Sequence, residues 1–276
     1  MGGGGTGLAR RSRRRPRIHV PRPPDSPYRS HTLADTRLAR SGFVSDGERA
    51  ALLKVHLGQR SLEPGEELIA EGSVPDNLYF MSAGWADRFV TTGSGTRQIP
   101  TLLVPGDVCN LDNFLFPRAD CGVRAATDTA VLCLPRPRAL ALALASEHPG
   151  VGRAFTWLAL GENAVLTQWA VGLGRRSARQ RLAHLLCELH TRTSSGPDGG
   201  DFELPLTQEV IADTLGLTPV HINRTMHCLR ADALVGTAGR KVTILDIQRL
   251  RALAEFDPSY LRQIELSAGS PTGGRA

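Results

Sequence analysis

The residues best placed to do chemistry lie in one stretch, Thr218-Pro219-Val220-His221-Ile222-Asn223-Arg224-Thr225-Met226-His227-Cys228-Leu229-Arg230. At helical spacing Ile222, Met226 and Leu229 fall on one face. Val220, Arg224 and His227 fall opposite, with Asn223 flanking and His221 at the edge. An apolar back lets such a helix pack on a scaffold while its polar front lies in the major groove of DNA. Arg224 offers a two-pronged donor for guanine, Asn223 a partner for adenine or phosphate, and Val220 an apolar contact for a thymine methyl. The chemistry is recognition, with no bond made or broken.

Other constellations carry less. His184-x-x-Cys187-x-x-His190 spaces metal ligands three apart on one helix, where successive positions drift by about 60° and cannot converge. The five cysteines (109, 121, 133, 187 and 228) are odd in number and never form a C-x-x-C pair. That argues against a disulfide framework or a thiolate zinc site and for small buried hydrophobes. Trp85, Trp157 and Trp169 read as packing residues. No G-x-S-x-G, H-E-x-x-H or G-x-x-x-x-G-K run is present, which argues against an enzyme.

The elements that must position the recognition helix are legible around it. Thr207 is an N-cap for a preceding helix with Glu209 in its first turn, and Gly216 supplies the tight turn. Thr218 then caps the second helix, with Pro219 at its first position, where a missing N–H is harmless. Thr207 and Gln208 at the first helix's N-terminus are expected to meet phosphates. Val235–Ile244 reads as a hairpin whose tip, Arg240 and Lys241, forms a phosphate-contacting wing. Any small helical bundle has capped helices with apolar backs; the glycine turn, the Thr-Pro cap and the basic wing together favour DNA.

Upstream, Phe155, Leu158, Val165 and Trp169 recur at three, seven and four residues on a helix expected over about 149–172. The stripe is either core or a two-helix seam, and because the helix links two domains a homodimer seam is expected. A helical segment over 175–189 and a polar loop over 191–201 follow. Further back, glycines 65, 72, 84, 95 and 106 separate short runs such as Leu78-Tyr79-Phe80-Met81 and Ile99–Val104. Short strands at that spacing, closing at Ala130–Leu134, imply an antiparallel sandwich or barrel. Residues 33–55 carry a helical pattern, and a final helix is expected around 247–256.

The whole chain has 276 residues, 41% hydrophobic and 22% charged, which suits a soluble globular protein. No apolar run is long enough to span a membrane and no secretory pattern opens the chain, so a cytoplasmic protein is expected. Residues 1–30 hold eight arginines against Asp25 alone, and the remainder is close to neutral. The high pI is thus a property of a Gly/Arg/Pro tail expected to be disordered, and the body needs a local patch to bind nucleic acid.

Together these stretches resemble the Crp/Fnr family of bacterial transcription regulators over about residues 33–250. Gly65-Glu66-Glu67-Leu68-Ile69-Ala70-Glu71-Gly72, Leu78-Tyr79-Phe80 and Pro105-Gly106-Asp107-Val108 look like its β-roll, and Leu206–Leu234 like its winged helix-turn-helix. The resemblance implies an α+β fold. A tail (1–32) precedes an antiparallel, cyclic-nucleotide-binding-like β-roll (33–148), a dimerisation helix (149–174), a winged helix-turn-helix (175–250) and a C-terminal helix and tail (251–276). It also implies a homodimer on a near-palindromic double-stranded operator, with RNA polymerase as a further partner of an activator and no role for a membrane.

The departures are equally specific. Cyclic-nucleotide binders of the family carry a Gly-Glu pair and a phosphate-gripping Arg-Ser or Arg-Thr pair; here these fall on Asn110-Leu111 and about Ala119-Asp120. The effector pocket would be lined by Asn110, Leu111, Asp112, Arg118, Asp120 and Cys121. A leucine cannot accept from a ribose hydroxyl and an aspartate repels phosphate, so no cyclic nucleotide is expected. No cysteine precedes Cys109, which leaves out the N-terminal iron–sulfur cluster of the oxygen-sensing branch. Pro219 and Val220 occupy positions often charged in the family, so the target sequence does not transfer. The expectation is a DNA-binding regulator with an unidentified effector or none. The rival is a ligand-binding or scaffold protein whose winged helix contacts protein.

Overall fold

The computed structural model describes residues 32–194 and 199–261. The expected disordered tail up to residue 31, the loop tip at 195–198 and the frayed C-terminal end lie outside the described residues. A 3-10 turn (Leu33–Asp35) and α1 (Asp46–Leu53) lead into β1 (Gly58–Leu62), β2 (Glu67–Ile69), β3 (Asn77–Ala83), β4 (Ala86–Thr91), β5 (Arg97–Leu103), β6 (Gly122–Ala125) and β7 (Thr129–Pro135). Next come α2 (Arg136–Leu144), α3 (Pro149–Arg175), α4 (Ala178–Thr193) and β8 (Gly200–Glu203). The chain continues through α5 (Gln208–Leu215), α6 (Pro219–Ala231), β9 (Val235–Ala238), β10 (Lys241–Ile244) and α7 (Ile247–Ala254), then a 3-10 turn at Pro258–Leu261.

The roll is two antiparallel sheets, β1-β7-β3 and β2-β6-β4-β5. Strand periodicity divides its side chains between two cores. Tyr79 and Met81 of β3 point between the sheets with Leu62, Leu68, Leu103 and Val123, while Leu78 and Phe80 point outward onto the helices. All five turn glycines of the sequence reading have positive φ. At Gly84 a Cβ would lie 2.2 Å from the Asp128 carbonyl oxygen, so this turn admits no side chain. Pro100 fits inside β5 because β5 is an edge strand, paired only with β4 through a register shift.

Three expectations change. Residues 33–55 are not one helix: the chain turns at Gly42 (φ +75°), and α1 starts at Ser45, which forms a reciprocal capping box with Glu48. The wing is a three-stranded sheet, β8-β10-β9, because Phe202, just past the expected loop, packs into the C-terminal core and brings β8 beside β10. Two of the expected seam residues face inward: Phe155 and Leu158 are buried against the roll, Phe155 stacked on Phe114 with centroids 4.7 Å apart. Val165 and Trp169 pack on the C-terminal core, where Trp169 Nε1 donates to Glu188 Oε2 at 2.8 Å. Phe155 and Leu158 thus belong to this chain's own core, and Val165 and Trp169 remain half-buried.

Candidate nucleic-acid interface

Local chemistry builds the helix-turn-helix. Thr207 Oγ1 accepts from the Val210 N–H at 3.2 Å and caps α5, whose C-cap, Gly216, has φ +63°. Thr218 Oγ1 accepts from the His221 N–H at 3.2 Å, and Pro219 opens α6. Ile222, Met226 and Leu229 are buried beneath α6. Its other face is open: Val220 is 79% exposed, and Thr218, Pro219, Asn223, Arg224 and His227 are all exposed, with His221 half-buried.

The supports are less uniform. Thr207 is exposed, whereas Gln208 is half-buried. Arg240 is exposed beside Gly239 in the β9–β10 turn, and Leu204 N–H donates to its carbonyl at 2.8 Å. Lys241 is ion-paired with Asp201 across the wing, and that pair with Thr243 holds the Asp201 carboxyl below its usual range. Lys241 therefore brings less free charge to a phosphate than Arg240 does. Arg230 Nη1 donates to Thr237 Oγ1 at 3.1 Å, tying the recognition helix to the wing.

The reading head is fixed to the roll. Arg97 of β5 donates from Nε to Asp213 Oδ2 of α5 at 2.7 Å, and Gln98 Nε2 to the Thr214 carbonyl at 3.2 Å. Arg192 of α4 bridges two buried carboxylates, Asp107 of the Pro-Gly-Asp turn at 2.5 Å and Glu188 at 3.2 Å, and also donates to the Leu102 carbonyl. Glu188, fully buried, further accepts from Trp169 and from the Tyr260 hydroxyl at 2.8 Å. Burial pulls the Asp107 carboxyl up, but Arg192, Arg37 and the Val104 N–H outweigh it and hold it below the ordinary range. This network joins β-roll, long helix and DNA-binding half; the sequence reading saw Asp107 only as a turn residue.

The expected effector residues do not converge. Asn110 bonds the Tyr79 N–H, the Asn77 carbonyl and Asn113, and Leu111 is buried in the core beneath the helices. Arg118 donates to the Gly72 carbonyl at 2.8 Å, and Asp120 is exposed. Asp112 and Cys121 are half-buried near Arg88, which the sequence reading missed. Arg88 is buried and donates to the Val108 and Cys109 carbonyls and to both oxygens of Glu162 on α3 at 3.1 Å. Where the family resemblance sets the phosphate grip, at about residues 119–120, stand buried Ala119, with no side-chain donor, and the carboxylate of Asp120. The Phe89 ring lies against Gly122, 2.4 Å from where a Cβ would stand. These residues do not fit a cyclic nucleotide's phosphate. Among the described residues no group of three or more His, Cys, Asp or Glu could hold a metal ion.

A β-roll joined through a long helix to an exposed recognition helix defines a DNA-binding regulator with a sensor-type domain. Residues 59–146 match the cyclic nucleotide-binding domain family and residues 180–253 the Crp-like helix-turn-helix domain family. The chain is 31% identical to the transcriptional activator protein FnrL of Cereibacter sphaeroides, over 74% of this chain and 84% of that protein. It is 28% identical to the nitrogen fixation regulation protein FixK of Bradyrhizobium diazoefficiens, over 81% and 94%. The structure of FixK2 from Bradyrhizobium japonicum superposes with a TM-score of 0.67 at 26% identity, over 72% of this chain and 98% of that one. The chain belongs to the Crp/Fnr family of transcription regulators. It is a DNA-binding regulator and not an enzyme, and these relatives do not favour a winged helix that contacts protein. Among the described residues no helix is long and apolar enough to cross a membrane.

Proposed function

We propose that this protein is a cytoplasmic, dimeric regulator that reads a near-palindromic operator through α6 without using a cyclic nucleotide. The exposed polar face of α6 over a buried apolar back carries the reading. Arg224, Asn223 and Val220 face base edges, with His221 and His227 beside them. Thr207, Gln208, Thr218, Pro219 and the wing face the backbone. Relatives described as transcriptional activators make RNA polymerase a fitting further partner. The mismatch at Ala119 and Asp120 supports a sensor domain whose effector, if it has one, is no cyclic nucleotide.

The dimer seam moves to the outer face of α3. Leu160 is 65% exposed, and Asn163, Leu166, Ala170 and Leu173 follow at three, three, four and three residues, all exposed. That spacing suits two helices packed side by side, with Asn163 setting the register. Leu160→Ala is expected to weaken the dimer by about 1–2 kcal/mol, from lost apolar burial in both copies. Sedimentation equilibrium reads this; an unchanged dimer would put the seam elsewhere.

Selection from genomic fragments with the purified chain at near-physiological salt tests the function. Recovery of a two-fold-symmetric motif is expected, and motif-free, salt-labile binding would overturn the reading. Once an operator is in hand, Arg240→Ala should weaken binding alike on all sequences. It should also flatten the plot of log K against log salt by about 2 per dimer, one counterion released per wing. An unchanged slope would take the wing off the phosphates.

A further inference from the structure

The apolar stripe of α3 skips a position, and a charge stands there. Phe155, Leu158, Val165 and Trp169 alternate by three and four residues only if Glu162 is counted between Leu158 and Val165. Glu162 is the only charged residue of α3 between Arg153 and Arg175, and it stands at the midpoint of the helix. On one side of it Phe155 and Leu158 pack against the roll; on the other Val165 and Trp169 pack on the C-terminal core. The carboxylate thus marks the place where the long helix passes from one core to the other.

Arg88 of β4 meets it there. Nη1 and Nη2 donate to the two Glu162 oxygens, both at 3.1 Å, while Nε donates to the Cys109 carbonyl at 2.7 Å and Nη2 to the Val108 carbonyl at 3.1 Å. Those carbonyls directly follow the Pro105-Gly106-Asp107 turn, whose aspartate binds Arg192 of α4. One side chain therefore ties together β4, the segment after the turn and α3. Burial pulls the guanidinium down, but Glu162 and then Asp112 outweigh it and keep the group charged. Apolar packing on either side tolerates sliding, whereas a two-pronged guanidinium–carboxylate pair has one seating.

We propose that Arg88 and Glu162 are the positioning pair of this regulator. The carboxylate carried by α3 itself sets the register of the long helix on the roll, and with it the spacing of the two recognition helices, without a bound anionic effector. This rests on the dimeric, operator-reading function proposed above. An ion pair in an apolar stripe adds little stability over a well-packed leucine, and its best-attested use is to specify one register. The conformer that closes the pair also makes the Arg97–Asp213 bond and leaves the face of α6 open, with Val220 79% exposed. A pair that favours this conformer raises its population, and operator affinity scales with that population.

The test is operator binding by full-length Glu162→Gln, which removes the charge and keeps the size, read by fluorescence anisotropy at near-physiological salt. Two duplexes are compared: the selected operator, and the same sequence with a base pair inserted between its half-sites. The variant is expected to bind the operator about tenfold more weakly, as for a competent fraction cut to about a tenth. Its affinity for the inserted duplex should change by less than about twofold, because a loosened register also reaches the longer spacing. Glu162→Leu, which completes the apolar stripe, should lose the same preference and decides the matter if Glu162→Gln does not fold. An unchanged preference in a folded variant overturns the proposal. Equal weakening on both duplexes does so too, since that is what mere destabilisation gives. A gel-filtered parent chain that binds its operator only with added cyclic AMP or inorganic phosphate would also overturn it. A parent chain that selects no motif under any of these conditions sinks the regulator reading, and the positioning pair with it.

Discussion

Arg224→Ala lowers the dimer's affinity for its operator by about 2–6 kcal/mol, or roughly 30-fold at the least. The estimate follows from geometry and symmetry. A bidentate arginine–guanine contact discriminates by about 1–3 kcal/mol, and a two-fold dimer loses it once in each half-site. Arg224 is exposed on α6, and its guanidinium makes neither a salt bridge nor a hydrogen bond among the described residues, so truncation leaves no buried group unsatisfied. The fold should therefore melt as before while specificity collapses. Fluorescence anisotropy at fixed, near-physiological salt, on the selected operator and on a scrambled duplex, separates the two effects. A variant that keeps the parent's preference for the operator would remove Arg224 from the reading head.

Arg192→Met destabilises the fold by about 3–5 kcal/mol, because Glu188 stays buried with no cation beside it and Asp107 keeps only Arg37. Asp107 is 5% exposed and Glu188 fully buried, so neither can turn to water. For a chain of this size that is a fall in melting temperature of at least about 6 °C. The effect carries a pH signature. Asp107 is held below its unfolded value of 3.8, so its stabilisation is complete above that value and is lost as pH falls through the lowered native one. In Arg192→Met the Asp107 carboxyl loses its strongest cationic neighbour and takes up its proton at higher pH, which relieves part of the uncompensated charge. The melting deficit against the parent chain should therefore shrink on acidification from pH 7 toward pH 4. A constant deficit would mean that methionine merely packs badly.

What was legible in the sequence had local causes. Thr207, Gly216, Thr218 and Pro219 each act on the backbone within four residues of themselves, and the structure places all four as caps or turn. The roll was readable because Gly65, Gly72, Gly84, Gly95 and Gly106 punctuate strands whose side chains alternate. What escaped depends on which body covers a surface. Helix α3 carries apolar residues on two faces, and periodicity finds a stripe without saying whether its own chain or a second copy lies against it. Phe155 and Leu158 meet the roll, while Leu160 and Leu166 stay exposed at 65% and 40%. Buried ions escaped for a related reason. Arg88, Asp107 and Arg192 read as ordinary surface charges until the fold brings their partners from 74 to 85 residues away. Strand β8 is four residues with one buried side chain, too short for any pattern to register.

The reading head and the roll also share hydrophobic material. Trp85, Ile99, Leu102 and Val104 of the roll belong to the same buried cluster as Leu182, Ile211 and Leu229. The boundaries that mark inherited modules, near residues 146 and 180, therefore do not mark separable bodies. A chimera spliced there with a foreign sensor would present the winged helix with a mismatched mortise, lacking both those four side chains and Arg97 opposite Asp213. In this lineage, sensor and reader are bound to change together. Drift on β5 has to be answered on α4 and α5, which keeps new sensing chemistry from being acquired by simple exchange of domains.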